Sequence, residues 1–169
     1  MINNKILNEN YKFWLGGFRE GEGSLLISIV KSIKASYGIF LQPEFNVSQH
    51  INGLNILKSL KELFNNKGSI LKKSGSANVW VYSLKGVKNI NVYVIPFFLN
   101  YVTIYSSKYK NEEFNKFIFI LKKLNEKPKC IKDEFRRLVQ LTYNLNPSGK
   151  GKSRKRTLSE VFSIIDKIG

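Results

Sequence analysis

The chain has 169 residues, 43% of them hydrophobic, with 28 basic against 12 acidic side chains and a formal net charge of +16. Such a length fits one domain with a sizeable core, and the charge opposes compaction unless a polyanion offsets it, so nucleic acid is the first candidate partner and an anionic membrane surface the second. The single cysteine, Cys130, excludes an internal disulfide framework and a cysteine-rich zinc site, and no apolar run reaches the roughly 18 residues of a membrane span.

Met1-Ile2-Asn3-Asn4-Lys5 has neither the apolar core of a signal peptide nor the Arg/Ser bias of a transit peptide, so the chain is expected to work where it is made. Lysine far outnumbers arginine, and isoleucine and asparagine are abundant; AT-rich codons give that bias, as in an organellar gene. Residues 10–22 read as a helix with Phe13, Trp14, Leu15 and Phe18 as its apolar part. It contains Gly16-Gly17 and ends in Glu20-Gly21-Glu22-Gly23. Glycine inside a helix costs about 1 kcal/mol against alanine, and a carboxylate buried without a partner costs more. The combination points to a helix packed very closely on a neighbour, with an acid delivered at its C-terminal end.

Ser24 to Lys31 alternates, with Leu25, Ile27 and Ile29 on one side and Leu26, Ser28 and Val30 on the other: a strand. Ser36-Tyr37-Gly38 is turn material. Ile39 to His50 alternates again, with Leu41, Phe45 and Val47 opposite Gln42, Glu44, Asn46 and Ser48, and Pro43 predicts an edge position or a bulge. Leu54, Leu57, Leu60 and Leu63 repeat with helical spacing, closed by Asn65-Asn66-Lys67-Gly68. Short strands follow near 69–73 and 78–84, then helices near 89–100, 108–124, 131–143 and 157–168, punctuated by Pro128 and Asn146-Pro147-Ser148-Gly149. Thr157 or Ser159 with Glu160 is the expected N-cap of the last helix.

The order α-ββ-α-ββ-α plus further helices predicts an α+β fold in which one four-stranded antiparallel sheet lies over helices. The outer face is expected to carry Leu26, Ser28, Val30, Ser32, Lys34, Gln42, Glu44, Asn46, Ser48, Lys72, Lys73, Asn78, Trp80 and Tyr82. A twisted antiparallel ribbon fits the DNA major groove, and these side chains offer donors, acceptors and flat surfaces for base edges. The run Lys150-Gly151-Lys152-Ser153-Arg154-Lys155-Arg156 is a phosphate-clamping loop on the same reading, with Lys150, Lys152, Arg154 and Lys155 as contacts and Lys110 as a further one; a nuclear localisation signal is its usual competitor.

Leu15-Gly16-Gly17-Phe18-Arg19-Glu20-Gly21-Glu22-Gly23 resembles the motif of the LAGLIDADG homing endonucleases. The resemblance extends to the element order, to Pro43-Glu44-Phe45-Asn46-Val47-Ser48-Gln49-His50, to Asn78-Val79-Trp80-Val81-Tyr82, and to Ile95-Pro96-Phe97-Phe98 before Ser106-Ser107-Lys108-Tyr109-Lys110, about residues 10–165 in all. It implies that family's fold: a four-stranded DNA-binding saddle with extra C-terminal helices, a core over about 10–125 and a helical, basic extension over about 126–169. One copy of the motif implies a homodimer, with Phe13, Gly16, Gly17 and Glu20 at the interface; small residues let a helix lie on its own two-fold copy.

The resemblance gives Glu22, where the family more often has Asp, the role of catalytic metal-binding acid, with the Gly21 carbonyl as second ligand. Hard oxygen ligands suit Mg²⁺, with Mn²⁺ as a substitute and Ca²⁺ as an ion that binds without supporting cleavage. Glu20 occupies the position that structures the helix end. Gln49 matches a water-orienting glutamine and Lys108 a basic catalytic residue, with Lys110 as fallback; strand-end capping and a solvated helix start are their plainer readings. His50 reads as a surface residue next to the site. The family's arginine just after the glutamine is replaced by Asn52 and Gly53. The implied function is intron-encoded, site-specific double-strand cleavage of a long, near-palindromic DNA with short 3′ overhangs, in an organelle and with no membrane partner. The alternative is an RNA-binding intron maturase, whose partner is intron RNA, or a non-catalytic DNA-binding derivative.

Overall fold

The structure, a computed structural model, describes residues 8–126, 131–145 and 154–168. The readings at Met1–Lys5, Pro128, Cys130 and 146–153, Lys150 and Lys152 among them, lie outside these residues. The elements run α1 (Glu9–Glu22), β1 (Gly23–Lys31), β2 (Ile39–His50), α2 (Leu54–Leu63), β3 (Ser69–Lys72), β4 (Val79–Lys85), α3 (Val87–Asn89), a π-helical turn (Ile90–Val94), α4 (Ile95–Tyr101), α5 (Lys108–Asn125), α6 (Lys132–Tyr143) and α7 (Leu158–Asp166). The strands form one antiparallel sheet in the order β1-β2-β4-β3, an α+β fold. No described helix is long and apolar enough to cross a membrane.

The chain divides into two compact units, one of Met1–Leu25 with Glu44–Asn111 and one of Leu26–Pro43 with Glu112–Gly169. Residues thus cluster differently from a core over 10–125 with a C-terminal extension: the 26–43 hairpin belongs with the C-terminal helices.

In the first unit the β2–β4 ladder pairs Phe45 with Leu84, Val47 with Tyr82 and Gln49 with Trp80. Cross-strand partners share a face, so Trp80 and Tyr82 lie on the core side with Phe45 and Val47. This corrects the expectation that both aromatics face outward. Tyr82 is fully buried, packs edge-on against Phe45, and donates its hydroxyl to the Lys67 carbonyl at 2.8 Å; burial raises its pKa. Phe64, Phe97 and Phe98 complete an aromatic cluster around Phe45, with ring centroids 5.5–6.2 Å apart. Leu57 and Leu60 of α2 are buried in the same unit. Fully burying a side chain of this size contributes about 1.5–3 kcal/mol, so each member of the cluster adds appreciably to the unit's stability.

Two local breaks follow from sequence. Asn65, Asn66 and Gly68 adopt left-handed backbone, which ends α2. Pro96 lacks an N–H and its ring crowds the carbonyl four residues back; just before it the helix widens, and the Ile95 N–H bonds to the Ile90 carbonyl. The predicted 89–100 helix is therefore α3, a π turn and α4. Pro43 is not on an edge strand, since β2 lies between β1 and β4; the β2–β4 ladder begins at Glu44, so on that side the residue without an N–H stands just outside it.

In the second unit, Phe114, Phe117, Ile120 and Leu121 of α5, Phe135, Leu138 and Val139 of α6, and Val161 and Ile165 of α7 are buried with Ile27, Ile39 and Leu41. Gly38 has φ +70, and a Cβ there would fall 2.5 Å from Ile168 Cδ1, so the hairpin turn needs glycine for backbone and for space. Thr157, not Ser159, caps α7: its hydroxyl accepts from the Glu160 N–H, and Glu160 accepts from the Thr157 N–H. These bonds hold the Glu160 carboxyl below its usual range, and the bond from Arg136, 2.5 Å, does the same for Asp166. A lowered folded-state pKa stabilises above the unfolded value and is lost as pH falls through the folded one. Loss of helical circular dichroism from α7 is therefore expected to begin as pH drops below the ordinary carboxylate range, and Thr157→Ala should lower the neutral-pH Tm by roughly 2–4 °C, read by thermal melts.

Candidate nucleic-acid interface and acidic site

α1 is a helix with two unlike sides. Leu15 and Arg19, four residues apart, and Gly16 are buried; Phe13, Trp14, Gly17, Gly21 and Glu22 are exposed. A Cβ on Gly16 would lie 2.3 Å from the Tyr101 carbonyl oxygen, whereas one on Gly17 would meet nothing within 4 Å. The close approach that Gly16 permits is thus made within the chain, to α4, which corrects its assignment to a dimer interface. Phe13 packs edge-on against Tyr101 and Tyr105, at 5.1 and 6.0 Å, and Trp14 stacks between Tyr11 and Phe18. Tyr105 and Ile104 remain largely exposed beside this side of the helix, 78% and 62% respectively.

The two acids at the end of α1 are in different states. Glu20 is engaged: its Oε2 accepts from the Arg19 guanidinium at 3.3 Å and from the Ser106 hydroxyl at 3.0 Å. Glu22, the last helical residue, is exposed, and its carboxylate has no hydrogen bond or ion pair among the described residues. A carboxylate at a helix C-terminus faces the negative end of the helix dipole, so Glu22 does nothing for the helix it ends. A hard cation such as Mg²⁺ requires oxygen donors not already satisfied, and the Glu22 carboxylate beside the exposed Gly21 meets that requirement. Among the described residues no group of three or more His, Cys, Asp or Glu gathers to form a metal cage.

Gln49 stands at the end of β2, where its Oε1 accepts from the His50 N–H at 2.8 Å. Gly53 makes room for it, since a Cβ there would lie 2.5 Å from Gln49 Cγ. Part of the strand-end capping role is therefore real, while its amide nitrogen has no partner among the described residues. His50 is exposed, and its Nδ1 accepts from the Asn52 N–H at 3.3 Å. Lys108 opens α5, and Lys108 and Lys110 are both exposed. Glu22, Gln49 and Lys108 belong to one compact unit, with no hydrogen bond or ion pair joining them.

The outward residues divide between the units. In the first, Asn46 pairs across the ladder with Ser83 and Ser48 with Val81, while Leu71, Lys73 and Asn78 are exposed; Lys72 is exposed too, but it pairs with Trp80 and so stands on that residue's side of the sheet, which corrects its place on the outer face. Glu44 is buried; Lys85 Nζ lies 3.4 Å from it and Asn46 Nδ2 donates to it at 3.4 Å. Its acceptor capacity is used inside the sheet, which corrects its assignment to base contact. In the second unit Leu26, Ser28, Val30, Ser32 and Gln42 are half-buried and Lys34 is exposed at the turn. Arg154 is also corrected: its guanidinium donates to the carbonyls of Ile27, at 3.2 Å, and Thr142, and lies 4.7 Å from the Tyr143 ring centre. Burial lowers its pKa. It braces the second unit, while its neighbour Lys155 is exposed. Sequence reasoning passed over Arg19, Tyr101 and Ser106. The spacing Leu15–Arg19 was the available signal, since it sets an arginine on the buried side.

A four-stranded antiparallel sheet with a polar outer face and a glycine-bearing helix that ends in an unpartnered acid define an α+β domain of the endonuclease type. The model of the LAGLIDADG endonuclease family matches residues 15–121, and the chain belongs to that family. DNA endonuclease I-CeuI of Chlamydomonas moewusii is 39% identical over 114 residues, 68% of this chain and 52% of that protein, so the chain spans about half the length of that relative. Among solved structures, the group I intron-encoded homing endonuclease I-CeuI complexed with DNA superposes with a TM-score of 0.66 at 28% identity, covering 96% of this chain and 67% of that one. The archaeal intron-encoded homing endonuclease I-Vdi141I complexed with DNA gives 0.79 at 30% identity over 95% and 98%.

Two substitutions test the site's geometry in the free protein. Gly16→Ala forces a methyl into the Tyr101 backbone and is expected to cost about 1–3 kcal/mol in denaturant unfolding. Glu22→Gln removes a charge from the helix's negative end and should leave Tm unchanged or raise it by about 1–3 °C, as measured by calorimetry.

Proposed function

We propose that this chain is a metal-dependent, site-specific DNA endonuclease that acts as a homodimer. The observation that carries the reading is the contrast between the two acids: Glu20 is bound into the fold, while Glu22 is exposed and unpartnered at the end of a helix whose Gly17 side is open. Two copies of α1 lying on each other along Phe13, Trp14 and Gly17 would bring two Glu22 carboxylates to one dyad, one for each strand of a duplex.

The residues present fit Mg²⁺: Glu22 offers a carboxylate and Gly21 a carbonyl, and scissile phosphate and water would complete the shell. When bound, the ion supplies Lewis acidity to the phosphodiester and a lowered pKa to the attacking water. Gln49 has an amide nitrogen free to orient that water. Lys108 and Lys110 offer positive charge to the phosphate as negative charge grows on the non-bridging phosphoryl oxygens and on the departing 3′ oxygen. Hydrolysis breaks the P–O3′ bond, and the attacking water's oxygen stays on the 5′ phosphate. Asn46, Ser48 and Ser83 in one unit, and Ser28, Ser32 and Gln42 in the other, are the polar groups placed for base edges, with Lys34, Lys73 and Lys155 for phosphates. The I-CeuI and I-Vdi141I structures, both complexed with DNA, support DNA as the partner. The lysine-rich, AT-biased composition supports an intron-encoded gene product made and used in an organelle.

The test is incubation with Mg²⁺ and a duplex that joins the sequences flanking the chain's own coding intron. The unaltered protein should make a double-strand break with short 3′ overhangs, and Glu22→Gln should bind the same duplex without cutting. Normal cutting by that variant removes Glu22 from the chemistry; binding to intron RNA with promoted splicing, and no cleavage, favours a maturase. Gly17→Leu meets open space in the single chain and should keep the fold by circular dichroism. It should sediment as a monomer and lose cleavage; a dimeric, active Gly17→Leu protein places the seam elsewhere.

A further inference from the structure

The residue before Glu20 is a nearly fully buried arginine. Arg19 is 8% exposed, its guanidinium lies 4.0 Å from the centre of the Phe98 ring, and its Nε is buried without a hydrogen-bond partner among the described residues. Among the described residues its one ion pair is with Glu20, at 3.3 Å. The backbone is adapted to it: a Cβ on Gly23 would fall 2.7 Å from Arg19 Cγ, so this side chain needs glycine four residues on. An apolar side chain of similar size would fill this space without desolvating a charge, and buried ion pairs are often no more stabilising than such a replacement. Stability alone does not explain an arginine here.

What the pair does locally is hold the Glu20 carboxylate. That carboxylate also accepts from Ser106 Oγ at 3.0 Å, where the hydroxyl has the Val102 carbonyl, 3.1 Å away, as its competing acceptor. A hydroxyl donates one proton, so the negative charge fixed by Arg19 biases that choice towards Glu20. Ser106 sits in the turn between α4 and α5. The same turn is braced by Asn111 Nδ2, which donates to Thr103 O at 3.1 Å and Ser106 O at 3.4 Å. Glu22 lies two residues beyond Glu20 on one side, and Lys108 two residues beyond Ser106 on the other. All of these residues belong to one compact unit.

We propose that Arg19, Glu20 and Ser106 form an internal clamp that fixes the end of α1 to the start of α5, making Arg19 and Ser106 positioning residues for Glu22 and Lys108. The catalytic half of this inference rests on the endonuclease reading above; the clamp itself does not. Arg19→Met keeps the packing on Phe98 and removes the charge, and Ser106→Ala removes only the bond.

The experiment compares the full chain with these two variants and the double variant by thermal melting, by affinity in Ca²⁺ for the duplex that the unaltered protein cuts, by single-turnover cleavage in Mg²⁺, and by amide hydrogen exchange over 102–108. Each single variant is expected to keep its melting behaviour and bind within about 3-fold of the parent, to exchange faster over 102–108, and to cut about 10- to 100-fold more slowly, since misplacing a reacting group by about 1 Å has effects of that size. The double variant should be little worse than the worse single, because both act through one carboxylate. Unchanged exchange overturns the clamp. Rates that fall only in step with melting temperature and affinity overturn its positioning role and leave a merely structural ion pair. If Arg19→Met does not fold, Ser106→Ala carries the same comparison. If the unaltered protein cuts no duplex, the endonuclease reading fails, and exchange alone decides the clamp.

Discussion

The contact between Gly16 and the Tyr101 carbonyl sets how near α1 and α4 can lie, and the first compact unit is arranged around that distance. With no Cβ at 16 the two helices approach to backbone contact. Leu15 and Arg19 then reach the buried side, Arg19 lands on the Phe98 ring, and Phe13 meets Tyr101 and Tyr105. Only because the helix is held this way does its last turn leave one acid engaged with the protein and the next in solvent. A methyl group at 16 would push out the whole helix, and with it the position of Glu22.

Much of this was legible in the chain, because periodicity is a local signal. The two alternating runs became β1 and β2, the leucine repeat became α2, and the boundaries of α5 and α6 fell within a residue or two of their expected places. What the sequence left open were choices of phase and of partner. A short run such as Val79-Trp80-Val81-Tyr82 alternates equally well in either sense, and large aromatics suit a DNA-facing surface as well as a core. Pairing of Tyr82 with Val47 and of Trp80 with Gln49 decided it, and those partners stand on a strand far back in the chain. Arg154 and Glu44 follow the same logic: a charge in a basic run or on a polar strand face reads as solvated until a carbonyl or a lysine from another segment is found against it.

The glycine pair shows how close two roles can stand. Adjacent positions on a helix point about 100° apart, so Gly16 and Gly17 look in different directions. The first answers to the protein's own α4, the second to open space. A motif defined by small residues therefore mixes requirements of the single chain with requirements of whatever covers the other side, and sequence spacing alone does not separate them.

The unequal states of the two acids also leave an evolutionary record. Glu22 is attached to nothing in the fold, so a lineage released from selection for chemistry can lose it in one step without loss of stability. Glu20 has no such freedom: replacing it alone strands the Arg19 charge in an apolar setting. Decay that starts at the acid must therefore pass through a less stable intermediate. Descendants of this chain released from that selection should lose the second acid early and keep the first for longer.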